Sequence, residues 1–323
     1  MQVVLRPKSG MGSVATAAGP RGLALTAVTA VAGMVLATAA CGSPGAAGAR
    51  PAVRSSSPGS ATPAHLTQSA SPEPSPKATP SPRPAKVVVS RFRARDGSVV
   101  TLATFRGPVT YRLHSGSSDP GHLSVLRAGP AVTGGERHRL LAAFNGGFLL
   151  SAGAGGYEQE GHVISPLTRG LASLVIDRNG GAQIGSWGHG LPHPGQPVTS
   201  VRQNLRLLVR RGRVSAAAAD WGVWGATLGG GEYVARSALG EDAAGELIFA
   251  GSMSASPAAL AQALVHAGAR SAMELDINPE WVQLDVARKP GHKLTAAIPG
   301  QARPANQYLV GWTRDFITVL APR

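Results

Sequence analysis

The sequence predicts an α+β fold, a single domain over residues 87–323 with a mixed β-sheet and a strand–helix–strand crossover. Three observations predict it. Short apolar runs recur between Gly, Pro and Asp punctuation. One well-capped helix lies between two such runs. A Ser/Pro/Ala-rich stretch separates this part from an apolar N-terminus.

Residues 1–41 read as a signal peptide, a lipoprotein signal or an anchor. Arg6, Lys8 and Arg21 precede the uncharged run GLALTAVTAVAGMVLATAA at 22–40, a positive flank before an apolar core. The run is near the lower limit for a membrane span, so an uncleaved transmembrane anchor is the alternative. Cys41, the only cysteine, follows directly. TAAC before Gly42-Ser43 resembles a bacterial lipoprotein cleavage site, with Thr38 where Leu is usual. Lipidation at Cys41 is therefore expected. With one cysteine there is no internal disulfide, cysteine metal site or catalytic thiol.

Residues 42–86 form a Pro/Ser/Ala-rich disordered linker, with too little apolar surface to offset the entropy of ordering. Their Ser-Pro and Thr-Pro steps make an extended, semi-stiff spacer. Tether, spacer and domain together suit a protein held at the extracellular face of the cell membrane, in the envelope. The net charge of +14 is spread along the chain. Zinc-finger spacing, a basic helix followed by heptads and an aromatic-rich RNA-binding motif are all missing, so no nucleic acid is expected as partner. Anionic polymers or lipid headgroups suit the charge better.

The strand-like runs are SVVTLATF, RLLAAFNG, LASLVID, RLLVRRG, GELIFAG, SAMELDI and QYLVGW. IDRNGGAQIGSW reads as a hairpin turning at Asn179-Gly180. Ser256 can cap a helix whose first turn holds Pro257, whose apolar face holds Leu260, Ala263, Leu264 and Ala267, and which Gly268 ends. With GELIFAG before it and SAMELDI after it, this helix makes a crossover and implies a parallel pair. In AMELDINPEW, Met273, Leu275 and Ile277 share one face and Glu274 and Asp276 the other. Asp276, at the carboxyl end of the strand, stands where crossover units contact ligands. Glu274 reads as a solvated edge residue. His189 and His193 lie in HGLPHPG, where Gly and Pro forbid one helical face, so no metal site is expected. No cofactor is expected either.

AAFNGGFLL sets two glycines inside an apolar run. By itself Asn145-Gly146 is a hairpin signal; glycines there also mark a close backbone approach. AAFNGGF resembles the Asn-Gly-Gly-Phe segment of the phosphodiester glycosidase family. ARSALGEDAAGELIF is similar to that family's Arg-Thr-Ala-x-Gly segment, SPAALAQALVHAGARSAMELD to its helix leading into a Leu-Asp-Gly-Gly strand, and NLRLLVRRGRV to the segment between them. Order and spacing hold from Arg139 to Asp276.

The resemblance implies a hydrolase cleaving a sugar-1-phosphodiester bond. It implies a carbohydrate or sugar-phosphate substrate held by the backbone at Gly146 and Gly147, by Asn145 and by Arg236, which would clamp phosphate bidentately. Asp276 would be the acid/base or the stabiliser of an oxocarbenium-like centre, with Glu160 and Glu280 as further carboxylates. The chain departs from the family after Asp276: Ile277-Asn278-Pro279-Glu280-Trp281 replaces the glycine-rich segment, and Pro279 offers no amide. Asn278 would then supply hydrogen bonds and Trp281 a surface for a sugar ring. A non-catalytic surface module binding an anionic glycan is the alternative.

Overall fold

The computed structural model describes residues 84–226 and 230–323. The signal or anchor, Cys41 and residues 42–83 of the linker lie outside the described residues. In chain order the first strands are β1 (Lys86–Arg93), β2 (Val99–Arg106), β3 (Thr110–His114), β4 (Leu140–Asn145), β5 (Tyr157–Gln159) and β6 (His162–Ser165). β7 (Ala172–Asp177), β8 (Ala182–Ser186), β9 (Val198–Gln203), β10 (Leu207–Arg210), β11 (Arg213–Val214) and β12 (Val234–Glu241) follow. The last are β13 (Leu247–Ala255), β14 (Ser271–Glu274), β15 (Leu284–Ala287), β16 (Leu294–Ala296) and β17 (Phe316–Leu320). Among the described residues the α-helices are α1 (Gly134–Arg139), α2 (Pro257–His266) and α3 (Gln307–Val310).

Three sheets result, in the orders β1-β2-β13-β12-β14-β10-β11, β16-β15-β4-β17-β3 and β6-β5-β9-β7-β8. The domain is strand-rich, with few helices, rather than evenly α+β. Alternation explains its core. Phe105 and Phe249 of the first sheet, Phe144 of the second, and Tyr157 and Leu174 of the third meet in one buried cluster. Phe105 stacks on Phe144 with ring centroids 5.6 Å apart, and Phe249 tilts against Phe144 at 5.3 Å. The opposite face of the seven-stranded sheet is covered by α2, whose Leu260, Ala263 and Leu264 pack on Val100, Leu102, Ala238 and Ile248. Ser256 Oγ caps α2 by accepting from the Ala259 amide at 3.1 Å.

The crossover through α2 is present, but its two strands do not pair. β12 lies between β13 and β14 and runs antiparallel to both. The outer strands therefore point the same way without touching, and every ladder of the three sheets is antiparallel. A strand–helix–strand unit fixes direction, not adjacency, and a third strand can enter between. The hairpin at Asn179-Gly180 joins β7 and β8, with Gly180 at φ 81°. Asn145-Gly146 is no hairpin: β4 pairs with β15 and β17, and the chain runs on into a 3-10 turn at Leu150–Ala152. QYLVGW holds α3 instead of a strand. Its Tyr308 ring packs edge-on to Trp312 and stacks on Phe316 of β17, so ring packing overrides the β-propensity of the run.

Candidate functional site

The ends of β4, β9, β14 and β17 converge on one buried polar cluster. Asn145, Arg202, Asp276, Arg314 and Asp315 are each at most 4% exposed. Charged groups at that depth require partners. Arg202 donates from Nε to Asp315 Oδ2 at 2.8 Å and from Nη1 to the Gln203 carbonyl at 2.8 Å, and Nη2 donates to the Phe148 carbonyl. Arg314 donates to the Gly147 carbonyl at 2.9 Å and lies 3.3 Å from Asp119 and 3.6 Å from Asp276. Its guanidinium carbon sits 4.0 Å from the Trp281 ring centroid, a cation–π contact.

This geometry explains the glycines in the apolar run. A Cβ on Gly146 would collide with Asp315 Oδ2, and one on Gly147 would stand 2.9 Å from the Arg202 guanidinium carbon. Neither has a positive φ. The close approach is made by the protein's own ion pair. Asn145 is likewise engaged internally. Its amide donates to Ser237 Oγ at 2.8 Å and to the Gly146 carbonyl at 2.9 Å, and its oxygen accepts from the Gln283 amide at 3.1 Å.

Asp276 differs from its neighbours. Oδ1 accepts from the Ile277 and Asn278 amides at 2.7 and 2.8 Å, closing a tight turn, while Oδ2 faces Arg314 and, among the described residues, accepts no hydrogen bond. Burial pushes its pKa up to about 7, against the opposing pull of Arg314 and the two amides. The charge balance agrees: Arg202 and Arg314 face three carboxylates, Asp119, Asp276 and Asp315, so a protonated Asp276 leaves the cluster neutral. Among the described residues, Arg314 Nη1 is buried without a hydrogen-bond partner, while Nε lies 3.3 Å from Asp119 Oδ2. Half-buried Asp119, Asn278 and Trp281 form the outer wall of the cluster.

Arg236, the expected phosphate clamp, is fully buried and donates from Nη1 to Glu274 Oε1 at 2.7 Å and from Nε to the Ala255 carbonyl at 3.1 Å. It contacts neither Asp276 nor Arg314, although Glu274 feels the charge of Asp276. Glu274 is thus a buried ion-pair partner, not a solvated edge residue. Its position on the interior strand β14, with β12 and β10 on either side, hides it. Burial raises its pKa to about 8 despite Arg236. Glu160 lies elsewhere, in a groove with Arg112 and Arg127; it accepts from Arg112 at 2.7 Å and from the Arg127 amide at 2.7 Å. Although burial works the other way, these donors lower its pKa. Glu280 is exposed and pairs with Arg303 at 2.6 Å. Asn278 Oδ1 accepts from the Glu280 amide at 2.9 Å, closing the turn that carries Trp281.

Sequence reasoning missed Arg202, Ser237, Arg314, Asp315 and Asp119. A signal existed for the first and for the Arg-Asp pair. VRQN ends an alternating run on three polar residues, and TRDF sets Arg-Asp directly against the apolar FITVL. Among the described residues no cluster of His, Cys, Asp and Glu is suited to a metal ion.

No family model and no curated protein matches the chain. Among solved structures the chain is similar to the catalytic domain of zebrafish N-acetylglucosamine-1-phosphodiester alpha-N-acetylglucosaminidase, auto-inhibited by its pro-peptide. Identity is 14%, the TM-score 0.43, and the match covers 76% of this chain and 85% of that one. A hypothetical protein from Synechocystis is similar at 14% identity and TM-score 0.43, over 74% of this chain and 64% of that one. A Burkholderia pseudomallei protein described as exported gives 15% identity and TM-score 0.26, over 74% and 58%.

Proposed function

We propose that this protein is an envelope-tethered hydrolase that cleaves a sugar-1-phosphodiester at the Asp276–Arg314 cluster. The observation that carries the reading is Asp276 itself, a carboxyl with a pKa near 7 whose Oδ2 faces a guanidinium with an unpartnered Nη1. Arg314 suits a phosphodiester. In the reaction, the oxygen of water bonds to the anomeric carbon as the carbon–oxygen bond to phosphate breaks. The bonding pair leaves on the phosphate monoester. Asp276, protonated near neutral pH, supplies a proton to that leaving oxygen and regains one from the attacking water. Arg314 offsets charge on the phosphate.

Asp276→Asn tests it, because the amide keeps the turn-closing oxygen and removes the transferable proton. A general acid/base contributes about 100- to 10,000-fold in rate, so turnover of sugar-1-phosphodiesters collapses while ligand affinity falls little. Wild-type turnover falls as pH rises through about 7. A second reading, a non-catalytic module for an anionic glycan, draws on the engagement of every Asn145 polar atom within the protein. It predicts no turnover in the wild type and an Asp276→Asn change in affinity alone, measured by calorimetry.

The tether belongs to the same reading. Radiolabelled lipid is incorporated into the wild type and lost in Cys41→Ala. A membrane-bound, unlabelled protein in both forms makes residues 22–40 a transmembrane anchor instead.

A further inference from the structure

The hairpin of β10 and β11 closes one edge of the seven-stranded sheet. With Gly170, Leu207, Val214 and Ser215 it lines a groove of about 750 Å³ that also holds Arg206, Arg210, Arg211 and Arg213. All four arginines are exposed. Arg270 lies beneath the turn, its carbonyl accepting from the Gly212 amide at 2.9 Å. Among the described residues, none of these five guanidiniums forms an ion pair. No carboxylate lines the groove.

The register sharpens the point. Arg210 and Arg213 stand directly opposite each other across the ladder, where side chains on one face begin about 5 Å apart and like charges destabilise. Ion-paired arginines elsewhere in the domain show that carboxylates are available to the fold. An external anion would relieve this like-charged pair.

We infer that this groove binds a phosphate-bearing polymer, a chain of repeating phosphodiesters whose charges engage Arg206, Arg210, Arg211 and Arg213. Concavity favours a chain over a bilayer, since a planar surface reaches the rim of a groove and not its floor. The neighbourhood agrees: Val214 is the single exposed large apolar residue lining it, too little for insertion among lipids. Guanidinium is the group that recognises phosphate through paired donors. The groove is separate from the Asp276 cluster and stands whether or not that cluster is catalytic.

The test titrates the full-length protein with poly(glycerol phosphate), with inorganic phosphate and with phosphatidylglycerol vesicles. The polymer binds, and inorganic phosphate binds far more weakly. Polymer affinity falls by some tens of fold between 50 and 200 mM salt, on the order expected for four charge contacts at ~0.7 counterions each. The double variant Arg210→Gln/Arg213→Gln weakens polymer binding by about tenfold per arginine removed, and Lys at both positions restores part of it. The same Gln variant melts no lower than the wild type at low salt, because the opposed charges are gone; this separates lost binding from lost folding. The inference is overturned if the polymer fails to bind, if the Gln variant binds it equally well, or if the arginines hold only the vesicles, which would make the face a membrane contact.

Discussion

Gly146 meets the carboxylate of Asp315, a residue far away in the chain, because β17 pairs with β4. Gly146→Ala drives a methyl into the Asp315 carboxylate and disturbs a buried pair whose partner, Arg202, has nowhere to discharge. Overpacking of this kind costs about 1–3 kcal/mol, read as a lower denaturation midpoint at unchanged slope. Gly135→Ala is the contrast. Position 135 lies in α1 with open space where the Cβ would go, so the same substitution leaves stability unchanged or raises it by up to about 1 kcal/mol. If Gly146→Ala matches Gly135→Ala, the carboxylate does not rest against that backbone. Asp276 was visible as a carboxylate ending a strand. Its partner Arg314 carried a weaker signal, because an Arg-Asp pair set against an apolar run also suits ordinary surface charge.

At the scale of elements, the runs that matched their expected form carried more than one signal. α2 has its cap, its first-turn proline, its apolar face and its terminating glycine; β7 and β8 have alternation and an Asn-Gly turn. QYLVGW carried only β-propensity, and long-range ring packing on Phe316 overrode it. The sheet order failed for a related reason. Local sequence states that β13 and β14 are linked through a helix, yet the strand that enters between them, β12, precedes both in the chain. It is also the strand that matters to the site, since Ser237 of β12 joins Asn145 of β4 to the Asp276 backbone through one hydroxyl. Arg236 beside it points to the other face and meets Glu274. A motif thus delivers Ser237 to the cluster and Arg236 away from it, because alternation along a strand separates neighbours.

For the whole molecule, burial of three carboxyls sets the direction of pH dependence. Asp276, Asp285 and Glu274 have pKa values raised to about 7, 7 and 8, mainly by desolvation. A carboxyl raised in the folded state binds its proton more tightly there than in the unfolded chain. Its stabilising contribution is therefore fully present below the unfolded value near 4 and is lost as pH climbs through the folded value. Glu136 acts in the opposite sense. Burial opposes the change, but His114, Thr318 and Arg112 hold its pKa near 2, so its contribution is present above about 4.5 and disappears as pH falls toward 2. The two limbs place maximum stability near pH 4, with a decline from about pH 4 to pH 8. Moving one carboxyl's pKa tenfold in proton affinity corresponds to about 1.4 kcal/mol, so three groups titrating together take a substantial part of a typical ~5–15 kcal/mol domain stability. Thermal melting across pH 3 to 9 measures this directly. Glu274→Gln keeps an oxygen for the Arg236 hydrogen bond and removes one of the three titrations, so its melting temperature declines less steeply between about pH 6 and 9 than that of the wild type. A wild-type melting temperature that is flat or rising over that range would mean that these carboxyls are ionised in the folded protein. Asp276 would then lack the proton that the proposed reaction requires of it.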